Sequence, residues 1–322
     1  MENKSLLLQA GAMVMKEFVV TLKQKTVWEE PFVACIGYFD GLHRGHQELI
    51  NVTLKEAKKQ NVKSAIISFD PDPWITLGIS NEVHHITPYA ARIALAEQLG
   101  IDYWITLQFT KEVADLSAEA FLSLLESFPL VTLVCGFDFT FGKGGVGTPE
   151  IMANTKLSFE QIVVSPIMDE DMKISTTLIS QYIKEGRIAK ANHLLGYPYQ
   201  LIGIVVKGKM LGRTLGFPTA NIAYADEYLL PKEGVYVGKV NYKGNKYLAM
   251  ISIGKNPTVE TRSDASVEVY ILDFDEDIYS EELIVEFHDK IRDIIAFSSL
   301  DELVQQLHAD CEYTRNYSYT YQ

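Results

Sequence analysis

The chain is poor in cysteine. Its 322 residues include three, Cys35, Cys135 and Cys311, far apart and with no CxxC pair. That count and spacing exclude a disulfide framework and a zinc knuckle, and they point to a reduced, cytoplasmic setting. Positive charge is also in short supply. There are 29 Lys and Arg against 42 Asp and Glu, a net charge of −13. A phosphate polymer or an anionic membrane calls for a positive surface, so neither nucleic acid nor membrane is expected as a partner. A small phosphorylated ligand needs only a local positive pocket. No apolar run approaches a bilayer span. The start, Met1–Val14, carries Lys4 and Leu6-Leu7-Leu8, but its apolar run is too short for a signal peptide. With Met13 and Met15 as alternative starts, the first dozen residues read as a poorly ordered extension. No repeat or low-complexity segment is visible.

What is present suits two globular domains. Hydrophobic residues make up 47% of the chain and charged residues 22%, enough for each domain to bury a core. The first half alternates strand-like and helix-like segments. Apolar runs at 32–36, 64–69, 103–109, 130–135 and 161–164 read as strands, and 46–59, 87–99 and 117–127 as helices. Such alternation predicts a doubly wound parallel sheet, with ligands beyond the carboxyl ends of the strands. From Tyr199 the pattern changes to closely spaced strands at 201–206, 234–240, 247–252, 267–272 and 283–287, which predicts a small antiparallel β-barrel. A helix from Ser299 to His308, with Ser299 and Glu302 as a capping box, closes the chain. The domain boundary falls near 185–199.

Gly212-Arg213-Thr214-Leu215-Gly216-Phe217-Pro218-Thr219-Ala220-Asn221 is the most informative segment. Glycines let a backbone approach phosphates closely. Thr219 and Asn221 are oxygen ligands of the kind Mg²⁺ shares with phosphates. Arg213 adds a fixed positive charge for the same anion. The chemistry is that of a nucleotide–metal site; the plain alternative is a Gly/Pro turn between strands.

A second constellation follows the 32–36 strand. Gly37-Tyr38-Phe39-Asp40-Gly41-Leu42-His43-Arg44-Gly45-His46 places two histidines three apart at the mouth of a helix. Free backbone N–H groups, the positive dipole end and two imidazoles able to donate suit a phosphate there. A helix start that carries two polar residues, or a metal pair at i, i+3, are the alternatives. His84, His85, His193, His288 and His308 read as surface or core residues. Gly142–Gly147 matches G-x-G-x-x-G but does not open the first βαβ unit, and Gly136–Lys143 approaches a P-loop but has one residue too many and Gly144 where Ser or Thr should hold Mg²⁺, so both are discounted. Gly136–Gly147 reads as a flexible glycine-rich loop near the site; Phe137, Phe139 and Phe141 alternate with strand periodicity and read as core packing, with Asp138 the better candidate for ligand contact.

Taken together, these residues resemble the bacterial bifunctional riboflavin kinase/FMN adenylyltransferase family, the prokaryotic FAD synthetases, over about Phe18–Tyr313. The motifs are His43-x-Gly45-His46, Gly136–Gly142, Ile174–Thr177, Gly212–Ile222, Leu230-Pro231, Gly234–Tyr236, Ile253-Gly254, Asn256–Thr258 and Val267–Val269. The resemblance implies an adenylyltransferase domain over 16–186 and a riboflavin kinase domain over 187–322, with ATP as co-substrate, Mg²⁺, and riboflavin, FMN and FAD as substrates and products. In the kinase half it implies Thr219 and Asn221 near Mg²⁺ and Glu268 as the base on the ribityl hydroxyl. Gly212, Arg213, Gly216, Pro218 and Arg292 then contact ATP or flavin. In the adenylyltransferase half it implies His43 and His46 at the reacting α-phosphate, with ligand contacts from Gly37, Phe39, Asp40, Gly41, Asp138, Ser175, Thr176 and Thr177.

Three positions depart from the pattern. Ser180 stands where an arginine on the triphosphate is expected. Asp72, between Pro71 and Pro73, replaces a histidine. Tyr270 stands where a histidine is common. A kinase with weakened or lost adenylyl transfer, and a non-catalytic flavin or nucleotide sensor, therefore remain alternatives at this point.

Overall fold

The structure is a computed structural model and describes residues 15–24, 26–80, 83–208, 212, 215–255 and 265–319. The amino-terminal extension, Arg213 and Asn256–Thr258 lie outside the described residues.

Packing divides the chain into two units. One holds the described residues of Met1–Val83 and Arg92–Lys173, the other those of His84–Ala91 and Ile174–Gln322. Residues 174–186 thus group with the second unit, whereas the sequence division places them in the first.

The first unit runs β1 (Lys16–Val20), β2 (Phe32–Ile36), α1 (Arg44–Gln60), β3 (Lys63–Asp70), α2 (Pro73–Thr76), α3 (Tyr89–Gln98), β4 (Tyr103–Gln108), α4 (Lys111–Ala114), α5 (Ala118–Glu126), β5 (Leu130–Gly136), α6 (Pro149–Ala153) and β6 (Glu160–Val164), and ends in a two-stranded hairpin of β7 (Met168–Asp169) and β8 (Met172–Lys173). The first three residues of α3 group with the other unit. The six long strands form one parallel sheet, ordered β1-β4-β3-β2-β5-β6. Strand β2 is buried along its whole length, as its unbroken apolar run requires of a central parallel strand. The order reverses beside β2, where the chain adds β3 on one side and β5 on the other. Ligand crevices open beyond the carboxyl end of a strand at such a reversal. Gly37 is the first residue past that end.

Three short helices escaped the sequence reading. Each is started by one side chain that accepts a backbone N–H: Asp72 for α2, Thr110 for α4 and Thr148 for α6. Edge strand β1 was also missed. Residues 137–147 form a glycine-rich loop, as read, and the strand-like alternation of Phe137, Phe139 and Phe141 does not continue β5. Strand β5 ends at Gly136, Phe139 N–H turns back to Gly136 O at 3.1 Å, and Gly142, Gly144 and Gly145 take positive φ. Glycine in that conformation breaks an extended run. Phe139 and Phe141 reach the core, while Phe137 is exposed.

The second unit runs α7 (Thr176–Lys184), α8 (Ile188–Leu195), β9 (Tyr199–Val206), β10 (Ala220–Tyr224), β11 (Gly234–Tyr242), β12 (Asn245–Lys255), β13 (Ala265–Ile271), β14 (Glu282–Arg292) and α9 (Leu300–Asn316). Its six strands close into a barrel, ordered β10-β13-β12-β11-β14-β9, with every pairing antiparallel. Five were legible in the sequence; β10 grows directly out of Pro218-Thr219. Helix α9 is capped by Ser299 Oγ, which accepts from Glu302 N–H at 3.2 Å. Glu302 turns its carboxylate to Ser298, not back to Ser299. Val304 and Leu307 of α9 pack against Phe217, Met250 and Leu272, seating the helix on the barrel.

Candidate active sites

In the first unit the link from β2 to α1 is built from left-handed backbone. Phe39 has φ 59°, Gly41 77° and Leu42 34°. For Phe and Leu that conformation costs on the order of 1 kcal/mol or more each. Both side chains are fully buried, which offsets the cost. A Cβ at Gly37 would lie 3.3 Å from the Phe39 ring, so a glycine gives that ring room.

The link delivers His43 to the N-cap of α1, where its Nδ1 accepts from His46 N–H at 3.3 Å. The helix therefore begins two residues earlier than the sequence reading, with Gly45 inside its first turn. The two imidazoles stack, centroids 3.7 Å apart and planes 15° apart. Stacked rings do not aim two nitrogens at one ion, so the metal-pair arrangement is not formed. Among the described residues no group of three or more His, Cys, Asp or Glu is placed to hold a metal. Burial pushes the His43 imidazole down to about 4, against an opposing pull from Asp40. Burial also holds His46 well below the ordinary histidine range, helped by the charges of His43, Arg92 and Lys173. Both rings are neutral at neutral pH. His43 then carries its proton on Nε2, free to donate, and His46 Nδ1 has no hydrogen-bond partner among the described residues.

Lys173, at the end of β8, is the cation the sequence reading missed. It pairs with Asp138, stands 4.7 Å over the Phe137 ring, and its charge reaches both histidines. Asp138, expected to face a ligand, is exposed and engaged by this lysine. Arg92 is the second missed cation, fully buried behind the loop. It is a lone charge in the apolar stretch Ala90–Leu95, a signal that could have drawn attention. Asp72 does not act as a free anion: its carboxylate accepts from Tyr38 Oη and from Trp74 N–H, each at 2.7 Å. Ser175 caps α7, accepting from Leu178 N–H at 3.3 Å, with Thr176 and Thr177 in the first turn and Ser180 one turn on. These four belong to the second packing unit.

In the second unit three expected residues meet. Thr219 Oγ1 donates to Glu268 Oε2 at 3.1 Å. Asn221 on β10 lies directly opposite Glu268 on β13. Val267 and Val269 are buried in the barrel, so strand alternation turns Glu268 and Tyr270 to the opposite face. Thr219 also lines a cavity of about 360 Å³, together with Pro218, Val269, Phe274, Asp277 and Tyr279. That size and its mixed apolar and polar walls suit a small ligand. The Phe274–Tyr279 stretch was not singled out in the sequence.

Glycines shape the same corner. A Cβ at Gly212 would meet Phe217 O at 2.2 Å, and one at Gly208 would meet Asn221 Nδ2 at 2.0 Å. Gly216 takes φ 81°. Tyr270 and His308 both pack on Phe217, with centroids 5.3 and 5.1 Å away. Arg292 at the end of β14 is held by Asp310 of α9 through contacts of 2.8–3.2 Å.

Comparison with known proteins finds two family models in tandem. A family model described as FAD synthetase matches residues 25–178, and one described as riboflavin kinase matches 195–318. The "Bifunctional riboflavin kinase/FMN adenylyltransferase" of Listeria monocytogenes is 38% identical over 88% of this chain and 91% of its own length. The Bacillus subtilis protein of that description is 34% identical over 92% and 96%, and the Escherichia coli one 33% over 88% and 91%. A crystal structure described as a macrolide-efflux protein from Streptococcus pneumoniae superposes with a TM-score of 0.85 at 38% identity, over 94% of this chain and all of that one. No helix among the described residues is long and apolar enough to cross a membrane. Two family models in tandem and relatives matched over nearly their full length establish that this chain belongs to the bifunctional riboflavin kinase/FMN adenylyltransferase family.

Proposed function

We propose that the family's two reactions divide between the two units, the barrel phosphorylating riboflavin and the parallel-sheet unit adenylylating FMN. The observation that carries the kinase assignment is the Thr219–Glu268 bond, whose threonine also lines the cavity. Phosphoryl transfer asks for positioning, charge neutralisation and one group to take a proton. Glu268 receives the proton of the riboflavin 5′-hydroxyl as its oxygen attacks the γ-phosphorus of ATP, and ADP departs. In the resting site the Thr219 hydroxyl holds the carboxylate in place. Pro218 and Thr219 set the cavity wall against which ATP lies, and Arg292, steadied by Asp310, faces the flavin.

The metal assigned here is Mg²⁺. Thr219 Oγ1 and Asn221 Oδ1 are hard oxygen donors beside a phosphate site, and Mg²⁺ is held by few protein oxygens plus substrate phosphates. When bound, it neutralises the developing charge on the transferred group.

In the sheet unit, the FMN phosphate oxygen attacks the α-phosphorus of ATP and pyrophosphate leaves. His43 donates from Nε2 to an α-phosphate oxygen, and backbone N–H groups at the start of α1 receive the same anion. Lys173 supplies positive charge at the histidines. A reading with slower adenylyl transfer has one specific observation in its favour, Ser180 in place of the expected arginine. The assigned setting is the cytoplasm, with neither nucleic acid nor membrane as partner.

Chromatographic separation of FMN and FAD after incubation with riboflavin, ATP and Mg²⁺ tests all of this. FMN followed by FAD is the expected product sequence. No FMN under any divalent metal overturns the kinase assignment; FMN without FAD overturns the adenylyl-transfer assignment.

A further inference from the structure

Tyr38 is held from three sides at the point where the β2–α1 link enters its left-handed stretch. Its hydroxyl donates to Asp72 Oδ2 at 2.7 Å. Its carbonyl accepts from Arg92 Nη1 at 2.8 Å and from Ser68 Oγ at 3.2 Å. The Arg92 guanidinium lies over its ring, Cζ 4.3 Å from the centroid. Asp72 precedes α2, Arg92 is on α3 and Ser68 on β3, so separate elements converge on one residue. Asp72 and Arg92 are 5% and 1% exposed, where charge-assisted hydrogen bonds gain strength from the low dielectric. The next residue is Phe39 at φ 59°, and Leu42 at 34° follows shortly before His43. Strained backbone of this kind persists only where its surroundings over-determine it.

We infer that Asp72 and Arg92 clamp Tyr38, and that Tyr38 is a positioning residue that fixes the strained link and with it the stacked pair His43 and His46. This rests on the reading of the histidine pair as the adenylyl-transfer site. It also gives Asp72 a task. The aspartate that replaces an expected histidine is the acceptor that a tyrosine at position 38 requires. None of the three side chains needs to touch substrate; they act through the link.

Two variants test the clamp in the full-length protein. Tyr38→Phe removes the hydroxyl and keeps the ring under Arg92. Asp72→Ser keeps an N-cap for α2 but is too short to reach Tyr38. A parent-like urea unfolding transition of the first unit reports that each variant is folded, and riboflavin phosphorylation, carried by the other unit, should be unchanged. The expected result is a fall of about tenfold in kcat for FAD formation in either variant, the size of one lost charge-assisted hydrogen bond, with KM for FMN little changed. The double variant is expected to fall no further than the worse single one.

The second readout needs no turnover. In each variant the His43 and His46 ring resonances should titrate at higher pH than in the parent protein, because a loosened link admits water. A merely structural bond would not move those titrations. Parent-like titrations in both variants, with the first unit's unfolding transition intact, overturn the clamp. If the parent itself makes no FAD while the histidine titrations still shift, the clamp stands and the assignment of the site falls.

Discussion

Thr219, the residue before β10, and Glu268 of β13 share a hydrogen bond of 3.1 Å, with Asn221 directly opposite the same glutamate. The hydroxyl thereby presets where the carboxylate points before any flavin arrives. Glu268→Ala should lower kcat for riboflavin phosphorylation by at least about a hundredfold, with KM for riboflavin changed little, because a base acts mainly in the transition state. Steady-state kinetics check this; equal losses in kcat and affinity would leave Glu268 a structural residue.

Gly208→Ala separates stability from catalysis. The added Cβ would fall 2.0 Å from Asn221 Nδ2, and an amide at the end of a side chain can swing aside. The melting temperature should shift little while kinase kcat falls about tenfold or more, since a misplacement of about an ångström is costly at a reacting centre. Calorimetry beside kinetics decides it; a large melting shift with normal kcat would contradict the expectation.

The charge available for adenylyl transfer can be varied by substitution. Lys173→Met should reduce FAD formation by about tenfold or more, and Ser180→Arg should raise the parental rate. Single-turnover FAD assays at fixed Mg²⁺ measure both. A parental rate insensitive to Ser180→Arg would mean that existing cations already suffice.

The buried neutral histidines make a pH prediction of definite sign. An unfolded chain binds a proton on each histidine near pH 6.5, while folded His43 does so only near 4. Between those values the unfolded state holds more protons, so unfolding free energy rises with pH and is lost on acidification. His43 alone should cost the first unit up to about 3 kcal/mol between pH 6.5 and 4. Urea denaturation followed at stepped pH should show the loss, and His43→Asn should flatten it.

The chemistry-bearing motifs were legible because each is local. His43-x-Gly45-His46 follows an apolar strand, and Thr219-Ala220-Asn221 follows a glycine-rich turn. Strand alternation gave both sheet types for the same reason. What escaped depends on contacts between distant positions. Lys173 meets the histidines across 127 and 130 positions of chain, and Arg92 reaches Tyr38 across 54. The role of Asp72 could not be read from its neighbours, since its acceptor duty is set by Tyr38 34 positions away. Strand β10 was hidden because it grows straight out of the Pro218-Thr219 turn, and the Phe137–Phe141 alternation forms no strand because glycine conformations override a period of two.

The barrel's closure has a consequence for self-association. Each of its six strands is paired on both sides, so among the described residues the barrel has no edge strand to offer another chain. The parallel sheet ends in two open rims, β1 and β6, where Val19 and Val163 stand exposed. Backbone-templated aggregation of the unfolding enzyme should therefore start from the adenylyl-transfer half, and strand-breaking proline substitutions would protect it there and not in the kinase.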